Sequence, residues 1–164
     1  EPASEIYDII EPFKELIKSS PHQNKINNIF NDIDDVPTGN KYSRITSIAS
    51  FEHILNLPHV VAKSALLLST DGSLRVSIPN EGTMMWSLGD KVTGFEFKRT
   101  YGLDYKILRR HDHVNTADEI EEVLKFFFKN VRCKVFGISK GLAFYRFYEC
   151  KNPKIENANK YLES

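Results

Sequence analysis

The sequence predicts an α+β domain, a mainly antiparallel meandering β-sheet with one crossing α-helix and two N-terminal helices. Three observations carry this. Short apolar runs from Val60 to Arg110 are punctuated by turn dipeptides, a helix is announced by Thr116-Ala117-Asp118-Glu119, and the first 32 residues show three- and four-residue apolar spacing. Links as short as those between the runs favour antiparallel neighbours.

In chain order, Ile6, Ile9, Ile10, Phe13, Leu16 and Ile17 fall on one helical face, with a kink or restart expected at Glu11-Pro12 because proline removes a backbone bond. Ser20-Pro21-His22-Gln23 carries an N-cap, a first-turn proline and a glutamine suited to a capping box, so a second helix is expected from Pro21 to about Asp32, burying Ile26, Ile29 and Phe30. The run Asp34 to Asn40 has the composition of a surface loop. Tyr42 to Ile48 alternates like a strand, and Ser50 is placed to cap a short helix, Phe51 to Leu57, ending before Pro58.

Five strands are then expected: Val60 to Thr70, Ser73 to Ile78, Thr83 to Leu88, Val92 to Arg99 and Tyr105 to Arg110. Asp71-Gly72 reads as a two-residue hairpin turn, since that dipeptide readily takes positive φ angles. Thr116 and Glu119 form a capping box, and Ile120, Val123, Leu124, Phe127 and Val131 make the buried stripe behind it. Two aromatic-rich strands follow, Arg132 to Ile138 and Leu142 to Glu149, turning at Ser139-Lys140-Gly141, and the polar tail from Lys151 frays or docks weakly. The expected organisation is an N-terminal helical cap over residues 1–36, a sheet-plus-helix body over 41–150 and a polar tail over 151–164.

The chain's 164 residues suffice for one core of ordinary size, and 41% apolar against 27% charged residues is the balance of a soluble globular protein. Twenty-two basic residues against 22 acidic ones leave no global field, so neither nucleic acid nor a membrane surface is an expected partner. No apolar run reaches the length of a membrane span and no signal peptide opens the chain. With Glu1 rather than Met as its first residue, the chain is expected to be a fragment of a longer polypeptide or a processed product. Cys133 and Cys150 lack metal-ligand spacing and read as buried free thiols of an intracellular protein, with a disulfide as the alternative.

Candidate sites are few. His111-Asp112-His113 places two imidazoles on alternate residues, but a third ligand is missing, so the segment reads as a polar loop and no metal is expected. No nucleophile elbow, GxGxxG or GxxxxGK[ST] run is present, and no cofactor or small-molecule substrate is expected. Lys98, Arg99, Lys106, Arg109 and Arg110 fall on two strands expected to be hairpin neighbours, where they could form one patch for an acidic or phosphorylated peptide. A solvated sheet face is the alternative. Trp86, flanked by Met84 and Met85, is either core or a partner-contacting anchor. Phe144, Tyr145, Phe147 and Tyr148 occupy both faces of the last strand, so one face is expected to meet the N-terminal helices or a second chain.

The stretch Ser64 to Val76, with Thr83-Met84-Met85-Trp86, Val92 to Phe97 and the helix beginning near Ile120, resembles a polo box over Val60 to Asn130. The polo box is the C-terminal binding module of polo-like kinases and of related centriole and kinetochore proteins. The resemblance implies a non-catalytic protein-interaction or dimerisation module that localises a cell-division protein in the cytoplasm, cytoskeleton or nucleus. A protein or acidic peptide would be its partner, or a second copy in a homodimer. Where the family's phosphopeptide pincer has His-x-Lys, this chain has Gly82-Thr83-Met84, which leaves protein contact as the implied role. The competing readings are a small α+β enzyme with a cleft between sheet and helices, and a structural adaptor with no peptide ligand.

Overall fold

A computed structural model describes residues 7–18, 20–80, 98–100, 102 and 114–164. The chain divides into two compact units, Glu1–Asn40 and Lys41–Ser164. No described helix is long and apolar enough to cross a membrane.

In the first unit, β1 (Tyr7–Ile10) pairs in parallel with β2 (Ile26–Phe30), and the connection carries the short helix α1 (Glu15–Lys18) and a 3-10 turn at Gln23–Lys25. Two long N-terminal helices were expected, and the structure corrects both. Pro12 ends an Ile-rich run that suits a strand better than a helix. In the second segment Asn27 and Asn28, poor helix formers, sit between the β-favouring Ile26 and Ile29. After β2, the Asp32 side chain caps a 3-10 turn, Ile33–Asp35, in a reciprocal capping box with Asp35.

The second unit is built from β3 (Tyr42–Ile48), α2 (Leu57–Leu67), β4 (Leu68–Pro79), α3 (Ala117–Phe127), β5 (Phe128–Gly137), β6 (Ala143–Pro153) and α4 (Ile155–Leu162). Its sheet has the order β3-β4-β6-β5. β3 and β4 are parallel, whereas β6 is antiparallel to both β4 and β5, so β3, β4 and β5 run in one direction and β6 alone runs against them. The sheet is therefore mixed rather than an antiparallel meander.

The decisive correction lies at Val60 to Ile78. The expected hairpin is instead a helix running directly into one long strand. Leu57, Val61, Ala62, Ser64 and Ala65 are buried at helical spacing, and Pro58 opens the helix, where its missing N–H costs nothing. Gly72 lacks the positive φ that the expected turn requires. It serves a close approach instead: a Cβ there would sit 2.8 Å from the Tyr42 carbonyl oxygen. Pairing jumps at this point from Tyr42 opposite Leu68 to Arg44 opposite Ser73, five steps along β4 against two along β3.

α2, α3 and α4 share one core with the inner face of the sheet. Val61, Ala62 and Ala65 meet Leu74, Val76 and Ile78 of β4, Tyr148 and Cys150 of β6, and Ile120, Leu124 and Phe127 of α3. The Thr116–Glu119 capping box forms as expected. The β5–β6 hairpin also turns where expected, through a 3-10 turn at Lys140–Leu142. At Gly137 φ is 148°, and a Cβ would sit 2.5 Å from Ala143 Cα, so only glycine fits.

The tail is not loose. α4 buries Ala158 completely, stacks Tyr161 edge-on to Phe127 at 5.7 Å, and Asn157 Nδ2 donates to the Phe126 carbonyl at 2.9 Å, closing the end of α3. Residues 98–100 are helical, which contradicts a strand reaching Arg99. The expected strands at 83–88 and 105–110, with Trp86, fall outside the described residues. Cys133 and Cys150 are free thiols, and burial pushes Cys150 up to about 12.

Candidate active-site edge

Parallel strands gather their carboxyl ends at one edge, and open α/β sheets bind ligands there. In the second unit that edge begins where β3 ends. Ala49 takes a left-handed φ of 48°, a conformation disfavoured for any residue with a Cβ. It is held there by its N–H donating to the Ser77 carbonyl at 2.8 Å. The next turn, Phe51–His53, is pinned from above: Val114 and Asn115 N–H both donate to the Glu52 carbonyl, and Asn115 Nδ2 donates to the carbonyls of Phe51 and Ile54.

This clamp fixes a carboxylate in an uncommon state. Glu52 is only 2% exposed. Its Oε1 lies 3.9 Å from His53 Nε2, beyond hydrogen-bonding distance, and Oε2 has no hydrogen-bond partner among the described residues. Exposed apolar side chains flank it in sequence, Ile48 at 71% and Leu55 at 87%.

Beyond β4 the edge continues at Asn80, which is fully buried. Its Nδ2 donates to the carbonyls of Lys140 and Ala143, its N–H to Phe144, and its Oδ1 accepts from Arg146 Nε. Arg146 extends to Asp118, while Glu121 accepts from Lys140 and from the Tyr148 hydroxyl and pairs with Lys125 at 2.6 Å. Burial works to raise the Glu121 carboxyl, but the hydrogen bonds from Lys125, Lys140 and Tyr148 outweigh it and hold the group down at about 2. Burial likewise pushes the Tyr148 hydroxyl upward. This cluster binds β4, β6 and α3 together.

The first unit presents the same kind of edge. Glu11 follows β1, its N–H donating to Phe30 O at 2.9 Å, and Asp32 follows β2. Glu11 Oε1 accepts from Phe13 N–H, and the Asp32 side chain accepts from Asp34 N–H and from the backbone of Asp35 in its capping box.

Only part of the basic patch expected from the sequence falls within the described residues. Lys98 and Arg99 are exposed on a helical turn rather than on the expected strand, and the other expected members are Lys106, Arg109 and Arg110. Those three residues, Trp86 and the His111-Asp112-His113 cluster lie outside the described residues. Glu52, Asn80, Glu121 and Arg146 were missed. An acid–histidine pair just past an alternating strand, and an arginine set among Phe144, Tyr145, Phe147 and Tyr148, were the available signals.

No family model matches the sequence, and no curated protein matches it. Solved structures do. The plantazolicin methyltransferase BpumL in complex with SAH superposes with a TM-score of 0.62 at 16% identity, over 90% of this chain and 66% of that one. The CMeT domain of the citrinin polyketide synthase gives 0.59 at 15%, over 89% and 38%. The N-methyltransferase NodS from Bradyrhizobium japonicum WM9, with S-adenosyl-L-homocysteine, gives 0.56 at 14%, over 91% and 67%. The chain thus spans between 38% and 67% of the length of these structures.

These neighbours overturn the polo-box resemblance, and with it the non-catalytic interaction module, the expectation that the domain is no enzyme and the cell-division setting. The resemblance drew on the spacing and apolar pattern of Val60 to Asn130, whose first part, expected as a strand, turn and strand at Asp71-Gly72, is a helix running into one strand. The chain is similar in fold to S-adenosylmethionine-dependent methyltransferases, with a Rossmann-like sheet in which one reversed strand lies between parallel neighbours.

Proposed function

We propose that this chain forms part of an S-adenosylmethionine-dependent methyltransferase, and that its described strand ends supply part of the cofactor and acceptor sites. The observation that carries the reading is the reversed β6 between β4 and β5, in a sheet whose remaining strands run parallel, a topology matched over about nine-tenths of the chain by methyltransferases with SAH bound.

The residues present fit such a cofactor chemically. A nucleoside offers ribose hydroxyls and an adenine amine, all hydrogen-bond donors, and carboxylates at the ends of parallel strands suit them. Glu11 and Asp32 stand just past those ends, Glu11 after β1 and Asp32 after β2. When bound, the cofactor supplies an electrophilic methyl group. The chain's own part is to hold the nucleoside through Glu11 and Asp32, and to keep the turn after β3 rigid through the Asn115 clamp.

Isothermal titration of the protein with SAH tests this. Saturable one-site binding is expected, weakened roughly tenfold or more by Glu11→Ala through the loss of a charge-assisted hydrogen bond. Absence of binding by the wild-type protein overturns the proposal.

A further inference from the structure

We infer that Glu52 is the group that docks the methyl acceptor, and that this acceptor presents an N–H or O–H donor on an apolar body. The inference deepens the proposed function and rests on it for the word acceptor, but its physical basis is local.

A carboxylate removed from water costs folding free energy unless it is paired or hydrogen-bonded. Glu52 is 2% exposed, its Oε1 stands 3.9 Å from His53 Nε2, too far for a hydrogen bond, and among the described residues no donor reaches Oε2. The rest of the turn shows no such shortfall: the Glu52 carbonyl takes two N–H donors and the carbonyls of Phe51 and Ile54 share Asn115 Nδ2. The structure therefore satisfies the backbone of the turn and leaves one side-chain oxygen open.

Location separates a ligand site from a packing defect. The orphan oxygen stands just past the carboxyl end of a parallel strand, three residues beyond the left-handed Ala49, where strained backbone and ligand sites coincide in sheets of this kind. A carboxylate oxygen only accepts, so its missing partner is a donor. An amine or hydroxyl meets that need, whereas a second carboxylate is repelled. Ile48 and Leu55, both exposed beside the turn, give the donor-bearing molecule an apolar surface to lie on.

Glu52→Gln removes the charge at nearly constant volume. Three readouts on wild type and variant test the inference: melting temperature, SAH affinity, and the amide resonances of Phe51 to Leu55 on addition of hexylamine, hexanol or hexanoate. The wild-type amides are expected to shift with hexylamine, less with hexanol and not with hexanoate. The variant is expected to melt no lower than wild type, to keep its SAH affinity within about twofold, and to need roughly tenfold more hexylamine for the same shift.

Four results overturn it: melting temperature and SAH affinity falling together in the variant; a hexylamine response that survives Glu52→Gln; no hexylamine response in the wild type; or a water held at the turn that persists at saturating hexylamine. Wild-type protein that binds no SAH, yet responds to hexylamine through Glu52, removes the methyltransferase reading and leaves the donor-binding site standing.

Discussion

Two buried glutamates in the same unit are treated in opposite ways. Glu121, on α3, is met by Lys125, Lys140 and the Tyr148 hydroxyl, and these partners hold its carboxyl far below the ordinary range against the opposing effect of burial. Glu52, at the end of β3, is buried as deeply and keeps one oxygen without a partner among the described residues. A saturated carboxylate is a structural tie, and its removal is felt by the fold. An unsaturated one is carried at a cost to the fold, so its removal should be felt by whatever binds there.

The largest expected effect tests the first half of that contrast. Glu121→Ala leaves Lys140 and the buried Tyr148 hydroxyl short of their acceptor and should cost about 1–3 kcal/mol of unfolding free energy in a denaturant titration, the usual penalty for leaving a buried hydrogen-bonding group unsatisfied. The same carboxylate sets an acid limit. Its folded pKa, about 2, lies below the ordinary 4.5, so its contribution is complete above pH 4.5 and is lost as pH falls toward 2. Glu121→Gln should flatten that part of the stability profile, and an unchanged profile would mean that the cluster is not the tie described.

A smaller effect, of opposite sign, is expected at the other glutamate. Ala49→Gly relieves the left-handed backbone and should raise stability by up to about 1 kcal/mol. The raised melting temperature should come with looser fixation of the turn, seen as faster amide exchange at Phe51 to His53. A loss of stability would show that Ala49 is not strained.

Legibility in the sequence followed the range of the interactions. Thr116 and Glu119 announce their helix because both partners of the cap lie within one turn, and Ser139-Lys140-Gly141 announces its hairpin for the same reason. Tyr42 to Ile48 is legible through its alternation. The region from Val60 to Ile78 misleads because Ala65, Leu66, Leu67 and Leu68 suit a buried helix and a buried strand equally, and Asp71-Gly72 then supplies a false turn. Parallel pairing between β3 and β4, or β1 and β2, leaves no local mark at all. α4 was read as a polar tail because its buried contribution is small: Ala158 and part of Tyr161.

The site was less legible than the fold. That Glu52 lacks a partner is a property of everything packed around it, and no spacing rule encodes it. His111, His113, Trp86 and the basic residues drew attention because their side chains suggest chemistry by type. Glu11 and Asp32 became informative only once their strands were seen to be parallel.

The central claim is that β3 and β4 run side by side in the same direction, since the carboxyl-end edge and the likeness to methyltransferases both depend on it. Nuclear Overhauser contacts between backbone protons test it directly. The account predicts contacts linking Thr46 to Arg75 and Ser47 to Val76 in a parallel pattern, with helical contacts from Leu57 to Leu67. Cross-strand Hα–Hα contacts joining Ser69 or Thr70 to Ser73 or Leu74 around Asp71-Gly72 would restore the hairpin and contradict it.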